Sequence, residues 1–130
     1  MDYQGTINLL LQRFPEFHEA WQQQLEYWKD KKRSVGIDIM AFCSFISDKL
    51  EINESYEYQK VFDFIEYLLE IGNDSVQTAA TTMFLENLVN TSSHGTYPRE
   101  RFDHFMGPKS REYCAAWDEF CGVSYYDSKK

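Results

Sequence analysis

The sequence is poor in the residues that cross-link a fold, bend it or give it positive charge. Its 130 residues include only three cysteines, three prolines, six glycines and three histidines, and 13 basic residues stand against 21 acidic ones, for a net charge of −8. No apolar run approaches the roughly 20 residues that a membrane-spanning helix needs. A general nucleic-acid binder usually carries a basic patch. The sequence therefore indicates an acidic domain that binds neither a membrane nor nucleic acid directly.

The cysteines argue against disulfide bonds. Cys43, Cys114 and Cys121 are an odd number and form no CxxC pair. Cys114 and Cys121 lie on one predicted helix about 10 Å apart along its axis, whereas the Cα atoms of a disulfide lie within about 7 Å. The first residues also lack the basic opening and cleavage site of a signal peptide. We therefore expect a cytoplasmic protein with reduced, mostly buried thiols; the sequence does not say whether Cys43 is reactive.

The sequence offers little on which catalysis could be built. No histidine has a glutamate three positions before it, as helical di-iron sites require. Glu100 and His104 are one helical turn apart and leave a metal-dependent enzyme as a minor alternative. Asp118 and Glu119 are adjacent, so on a helix they point about 100° apart and are expected on a solvated face. We predict a protein that is not an enzyme, with no catalytic residues, no cofactor and no metal.

Apolar residues recur at helical spacing along most of the chain, and no strand-length alternation recurs. The pattern predicts a first short helix capped by Asp2 or Thr6 and a second helix with Pro15 in its first turn. A third helix is predicted over Val35–Ile52. The charged break 29–34 between the second and third helices is the only basic run, and we expect a solvated loop there.

The clearest amphipathic helix is predicted over residues 55–71. Gly72 is expected to end it in the left-handed conformation that glycine adopts most easily. Asp74 with Gln77 resembles a capping box that begins the next helix. Two helices joined in this way resemble one HEAT-type repeat, although an ordinary αα-hairpin in a bundle gives the same pattern.

The C-terminal part predicts a short helix after Pro98 and a final helix that begins at Pro108 and stops at Gly122. The residues expected to face inward on the final helix are Cys114, Trp117, Phe120 and Cys121. Residues 123–130 are predicted to be a flexible tail. The fold class that follows is all-α: one domain over residues 1–130, built as a compact bundle of about six helices, with HEAT-like stacking of αα-hairpins as an option.

The acidic charge is concentrated in one part of the chain. Between Glu54 and Glu86 there are seven acidic residues and one basic residue, Lys60. Such a run either solvates a helix face or docks a cationic partner, since complementary charge speeds encounter and sets register. Tyrosines outside the apolar stripes add side chains that are enriched at interfaces. The predicted partner-binding residues are Asp63, Glu66, Tyr67, Glu70 and Asp74.

Three segments are the most distinctive: Leu10–Phe17, Phe84–Leu88 and, most specific, Gly107–Phe120. They resemble segments of a family of small uncharacterised helical bacterial proteins. That family is similar in size and helical pattern to immunity proteins of bacterial toxin systems, including contact-dependent inhibition. The resemblance implies a protein that binds and blocks a cognate toxin in the cytoplasm. The acidic helix favours a basic nuclease as the toxin; the alternative is a HEAT-like adaptor or regulatory module without a toxin partner.

Overall fold

The computed structural model describes residues 1–122, and the predicted tail 123–130 lies outside the described residues. The described residues form seven α-helices and no strand, which confirms the all-α prediction. The helices are α1 (Tyr3–Arg13), α2 (His18–Tyr27), α3 (Val35–Glu51), α4 (Tyr58–Ile71), α5 (Asp74–Thr78), α6 (Glu86–Ser93) and α7 (Pro108–Cys121). None of the described helices is long and apolar enough to cross a membrane.

Shorter helical pieces lie between the α-helices of residues 1–122. A π-helical segment, Ala79–Leu85, joins α5 to α6 in one continuous helix. Three 3₁₀ turns lie at Pro15–Phe17, Arg99–Arg101 and Asp103–Phe105. The single short helix predicted after Pro98 is therefore two 3₁₀ turns, and Pro15 begins a turn that leads directly into α2.

The core is centred on the aromatic ring of Phe42 in α3. Its centroid lies 5.0 Å from that of Phe14, 5.3 Å from that of Phe17, 6.0 Å from that of Phe64 and 5.9 Å from that of Phe84. These partners come from the end of α1, the following 3₁₀ turn, α4 and the π-helical segment. All five rings are buried. Helix α3 is thus the central element, and the helix that follows α4 packs along it as well as against α4.

Side-chain caps fix where several helices begin. Asp2 accepts a hydrogen bond from the Gly5 amide at 2.9 Å and caps α1, one of the two caps predicted there. The predicted capping box of Asp74 and Gln77 is wrong. Asn73 is the cap of α5, because its Oδ1 accepts from the amide of Val76 at 3.0 Å, and Asp74 lies in the first turn.

Gly72 ends α4 as predicted, but the predicted left-handed conformation is wrong. Its backbone is extended, with φ −68° and ψ 150°, and is not left-handed. A Cβ atom at this position would lie 2.5 Å from the carbonyl oxygen of Leu68 and 2.6 Å from Cγ1 of Val76. Glycine is required here because α4 and α5 approach too closely for a side chain.

Helix α7 is rotated relative to the predicted face. Cys114 is buried and Trp117 is half-buried, but Phe120 is 81% exposed and Cys121 is also exposed, so the predicted inward face is wrong for those two. The expectation of a solvated Asp118 is wrong as well. Its buried carboxylate accepts two hydrogen bonds from the buried guanidinium of Arg99, at 3.0 and 2.8 Å. This ion pair turns the Asp118 side of α7 toward the protein.

Candidate functional site

Three of the five predicted partner-binding residues lie on the outer face of α4, and a fourth, Asp74, follows at the start of α5. Asp63, Tyr67, Glu70 and Ile71 follow helical spacing and share one side of α4 at about 100° per residue. Asp74 is exposed at the start of α5. Tyr67 is 36% exposed and Ile71 is 38% exposed, so apolar atoms lie between the carboxylates. We call these five residues the α4 surface.

The carboxylates of the α4 surface are available to a partner. Asp63 accepts one hydrogen bond, from Nε2 of Gln59 at 2.9 Å. None of Asp63, Glu70 and Asp74 forms an ion pair within residues 1–122. Cations also lie against this surface: the guanidinium carbon of Arg13 in α1 is 5.2 Å from the Tyr67 ring centroid, and the N-terminal ammonium of Met1 donates to the backbone carbonyl oxygen of Ile71 at 2.9 Å. The surface therefore keeps a net negative charge around an aromatic ring.

Glu66, the fifth predicted residue, is engaged inside the protein. Its Oε1 accepts from the backbone amide of Lys109 at 2.7 Å, and its Oε2 accepts from the amide and the hydroxyl of Ser110 at 3.1 and 3.0 Å. These are unpaired amides of the first turn of α7, where a helix favours negative charge. The structure thus gives Glu66 the role of an N-terminal cap on α7 and sets it apart from the α4 surface.

Other acids of the same segment are also partnered. Glu54 pairs with Lys49 at 2.8 Å, and Glu86 accepts a hydrogen bond from the hydroxyl of Tyr113. Burial, followed by the neighbouring Glu86, raises the pKa of Tyr113. Glu86 therefore fastens α6 to α7, and the free acidic charge of the segment is confined to its middle.

A second feature is a polar cleft of about 380 Å³ between α3 and α6. At its floor the Tyr97 hydroxyl lies 2.8 Å from the Ser47 hydroxyl. Burial raises the pKa of Tyr97 to about 12 and that of the Cys43 thiol to about 12. Both groups stay protonated at neutral pH, and only the thiolate is nucleophilic. Cys43 is consequently an unreactive part of the core.

The chain matches, over residues 7–122, a family described as Domain of unknown function (DUF7674). The protein belongs to this family. The match includes the α4 surface, Glu66 and the whole of α7. Comparison with curated proteins and with solved structures finds no match. Family membership is therefore shown, and the relation to immunity proteins remains a proposal.

In this DUF7674 domain the described residues contain no group of three or more His, Cys, Asp or Glu side chains placed to hold a metal ion. Glu100 and His104, the predicted minor alternative, lie on two separate 3₁₀ turns, and both are exposed. They are therefore not successive residues on one helix face. The Arg99–Asp118 pair was missed because nothing in the spacing of two residues 19 apart signals a contact between separate elements.

Proposed function

We propose that this DUF7674 domain is an immunity-type protein of the cytoplasm that binds a cognate bacterial toxin and neutralises it by covering the active site. The observation that carries the proposal is the α4 surface. Its three carboxylates form no ion pair with another described residue, and those of Asp63 and Glu70 lie about one helical turn on either side of the partly exposed Tyr67. Inhibition of this kind needs no catalytic residue, because the inhibitor acts by occupying the substrate's place.

The charge favours a basic nuclease as the toxin. A site that binds nucleic acid must neutralise phosphates with lysine and arginine side chains. Carboxylates can stand in for those phosphates and steer the two proteins together, which raises the association rate above that of neutral surfaces. Tyr67 would supply the central aromatic contact, since tyrosine is among the residues that contribute most at interfaces.

The α4 surface is also held rigidly, which reduces the entropy cost of binding. The opposite face of α4 is fully buried through Phe62, Phe64 and Ile65. Glu66 fixes the side of the helix that faces α7. The carboxylates therefore project from a helix whose position is set before any partner arrives.

The proposal is tested with a toxin domain encoded directly before this gene, where the proposed function expects one. Reversing charge on the α4 surface with Asp63→Lys/Glu70→Lys is expected to slow association at least about tenfold at low salt, because steering becomes repulsion. Nuclease inhibition should weaken in parallel. Stopped-flow association rates and a nuclease assay with increasing amounts of each variant measure the two effects.

The matched control is Glu112→Lys/Glu119→Lys, which makes the same change in net charge at two exposed positions of α7. It is expected to associate and inhibit nearly as the wild type does. If Asp63→Lys/Glu70→Lys inhibits the toxin as well as this control does, the α4 surface is not the binding site.

The second candidate function is a HEAT-like adaptor or regulatory module without a toxin partner. It is supported by the hairpin of α4 and the continuous helix 74–93, whose two arms pack together. Gene order separates the two functions, since an immunity gene is expected directly after a toxin gene. A toxin domain encoded there that the protein neither binds nor inhibits would favour the adaptor.

A further inference from the structure

The loop between α2 and α3 carries charge of the opposite sign to the rest of the molecule. Segment 29–33 has four basic residues and one acidic residue, while the remainder of the chain has nine basic and 20 acidic residues. We call this basic segment together with the two aromatic residues before it the cationic surface. Its members are Tyr27, Trp28, Lys29, Lys31, Lys32 and Arg33.

The cationic surface has a defined arrangement. The amide of Lys31 donates to the carbonyl oxygen of Trp28 at 2.8 Å, which closes a turn. The Lys31 ammonium lies 5.0 Å from the ring centroid of Tyr27 and 5.7 Å from that of Trp28, within the range of a cation–π interaction. Tyr27 is 69% exposed. Neither Lys31 nor Lys32 forms an ion pair with another described residue.

A cleft of about 320 Å³ adjoins this surface, and Arg33, Trp21 and Gln4 are among the residues that line it. The guanidinium of Arg33 lies 5.3 Å from the Trp21 ring, and its Nε donates to the buried carboxylate of Asp38 at 3.0 Å. Arg33 is therefore held in place in the cleft wall. A positioned guanidinium beside a side-chain amide is suited to a carboxylate from another molecule.

We propose that the cationic surface and the cleft beside it bind the α4 surface of a second copy of this chain. The two surfaces have opposite charge, and each combines unpaired charged side chains with a partly exposed tyrosine. A polyanion such as nucleic acid fits less well, because the exposed acids Glu26 and Asp30 flank the lysines and would face a continuous row of phosphates. Each copy carries one surface of each kind, so unlike surfaces pair in the assembly.

The assembly is measured by sedimentation velocity of the full chain at increasing concentration. At low salt the wild type is expected to sediment as species heavier than the 15.5 kDa monomer. Salt near 0.5 M is expected to dissociate them, since the Debye length is then only about 4 Å. Lys31→Glu/Lys32→Glu should weaken self-association at least about tenfold. The control Lys129→Glu/Lys130→Glu, which makes the same change in net charge, should associate nearly as the wild type does.

A charge swap identifies the second surface. Asp63→Lys/Glu70→Lys alone should also be monomeric. An equimolar mixture of Lys31→Glu/Lys32→Glu with Asp63→Lys/Glu70→Lys should associate again, because every contact in the mixed complex then joins opposite charges. Circular dichroism of each variant verifies that it remains folded.

The proposal is overturned if the wild type stays monomeric at low salt and millimolar concentration, or if the mixture of folded variants does not associate. Binding of a single-stranded oligonucleotide that competes with self-association and is lost in Lys31→Glu/Lys32→Glu would assign the surface to a polyanion instead. Toxin inhibition is a separate readout. Lys31→Glu/Lys32→Glu keeps the α4 surface and no longer covers it with a second copy, so it is expected to inhibit the toxin at least as well as the wild type does, and either proposal can fail without the other.

Discussion

Buried charged side chains hold α7 in place. Arg99 and Asp118 are both buried and form a bidentate pair, and Asp103 lies 3.5 Å from Nε of Arg99. Arg111 links the same Asp103 to α7 through two hydrogen bonds. Burying charges is costly unless they are paired, and losing one partner leaves the other charge uncompensated. These residues therefore fix α7 against the two 3₁₀ turns.

The Arg99–Asp118 pair gives a prediction at the residue scale. Asp118→Ala is expected to lower the free energy of unfolding by about 3–5 kcal/mol, because it removes the bidentate partner of a buried guanidinium. Glu119→Ala, at the exposed neighbouring position, should change it by no more than about 0.5 kcal/mol. Urea denaturation followed by circular dichroism measures both. Equal destabilisation by Asp118→Ala and Glu119→Ala would contradict the assigned pair. The double variant Arg99→Met/Asp118→Leu should be more stable than Asp118→Ala, because it removes both charges of the pair.

The same residues mark where sequence reasoning fails. Apolar spacing placed Cys114 correctly but turned α7 so that Phe120 and Cys121 faced inward and Asp118 faced water. The pattern of a single helix contains no information on a partner such as Arg99 in another element. In α3 the apolar positions are consistent with one another: Ile39, Phe42, Cys43, Ile46 and Leu50 keep helical spacing and are all buried.

At the scale of elements, the junction of α4 and α7 depends on one carboxylate. The Glu66 carboxylate accepts hydrogen bonds from two backbone amides and one hydroxyl in the first turn of α7. A Cβ atom at Gly107 would lie 2.7 Å from that carboxylate, so the chain must pass Glu66 without a side chain. Helix α7 begins at Pro108 as the sequence indicated, but the acid that caps it lies more than 40 residues earlier. That is why spacing alone placed Glu66 with the exposed acids.

Removing this cap should loosen α7 specifically. Glu66→Ala is expected to lower the free energy of unfolding by about 1–3 kcal/mol, the usual cost of leaving hydrogen-bonding groups without a charged partner. Amide hydrogen exchange at Lys109 and Ser110 should accelerate. Glu70→Ala, an exposed acid on the same helix, is the control and should leave both amides unchanged. Unaltered exchange at Lys109 and Ser110 in Glu66→Ala would show that the cap is unimportant in solution.

Helix boundaries were the other part of the fold that the sequence specified only loosely. The Gly-Asn-Asp segment at residues 72–74 correctly indicated a break between α4 and α5. The residue that caps α5 is Asn73, however, and Gly72 is needed because the two helices pack closely there. The sequence predicts one helix after Gly72 and does not distinguish the π-helical segment Ala79–Leu85 within it. A π-helix differs from an α-helix by about one residue per turn, which leaves no clear pattern over so short a segment. Breaks are therefore predictable from residue type, while the geometry inside them depends on contacts made by the folded chain.

The whole molecule combines an acidic exterior with an interior that holds several groups in their neutral form. Three carboxylates on the α4 surface form no ion pair with another described residue, and the other acids of the segment cap a helix, form ion pairs or accept hydrogen bonds from other elements. The sequence located the acidic region but did not show which of its carboxylates bind other parts of the protein, because Glu66 and Glu86 do so through contacts with α7. Inside, burial raises the pKa of Cys43 and of Cys114 to about 12, and burial likewise raises that of Tyr3 and of Tyr97 to about 12.

These buried groups predict a loss of stability in alkali. In the unfolded chain thiols ionise near pH 8.5, whereas Cys43 and Cys114 in the folded protein stay protonated up to about pH 12. Between these values the unfolded state binds fewer protons, so raising the pH lowers the free energy of unfolding. The loss is about 1–2 kcal/mol per thiol at pH 10, and tyrosines add to it above pH 10. Below pH 8 these groups are protonated in both states and stability is independent of them.

Urea denaturation at pH 8, 9 and 10 in the presence of a reducing agent measures this loss. The wild type is expected to lose stability progressively over this range. The control is Cys43→Ala/Cys114→Ala, which is less stable at pH 8 because it leaves cavities but should have a clearly shallower dependence on pH. The comparison uses the slope of the free energy of unfolding against pH rather than its absolute value. The cavity cost and the general repulsion within an acidic protein then cancel, because the wild type and the variant share the same surface. Parallel slopes for the two chains would mean that the buried thiols do not limit alkaline stability.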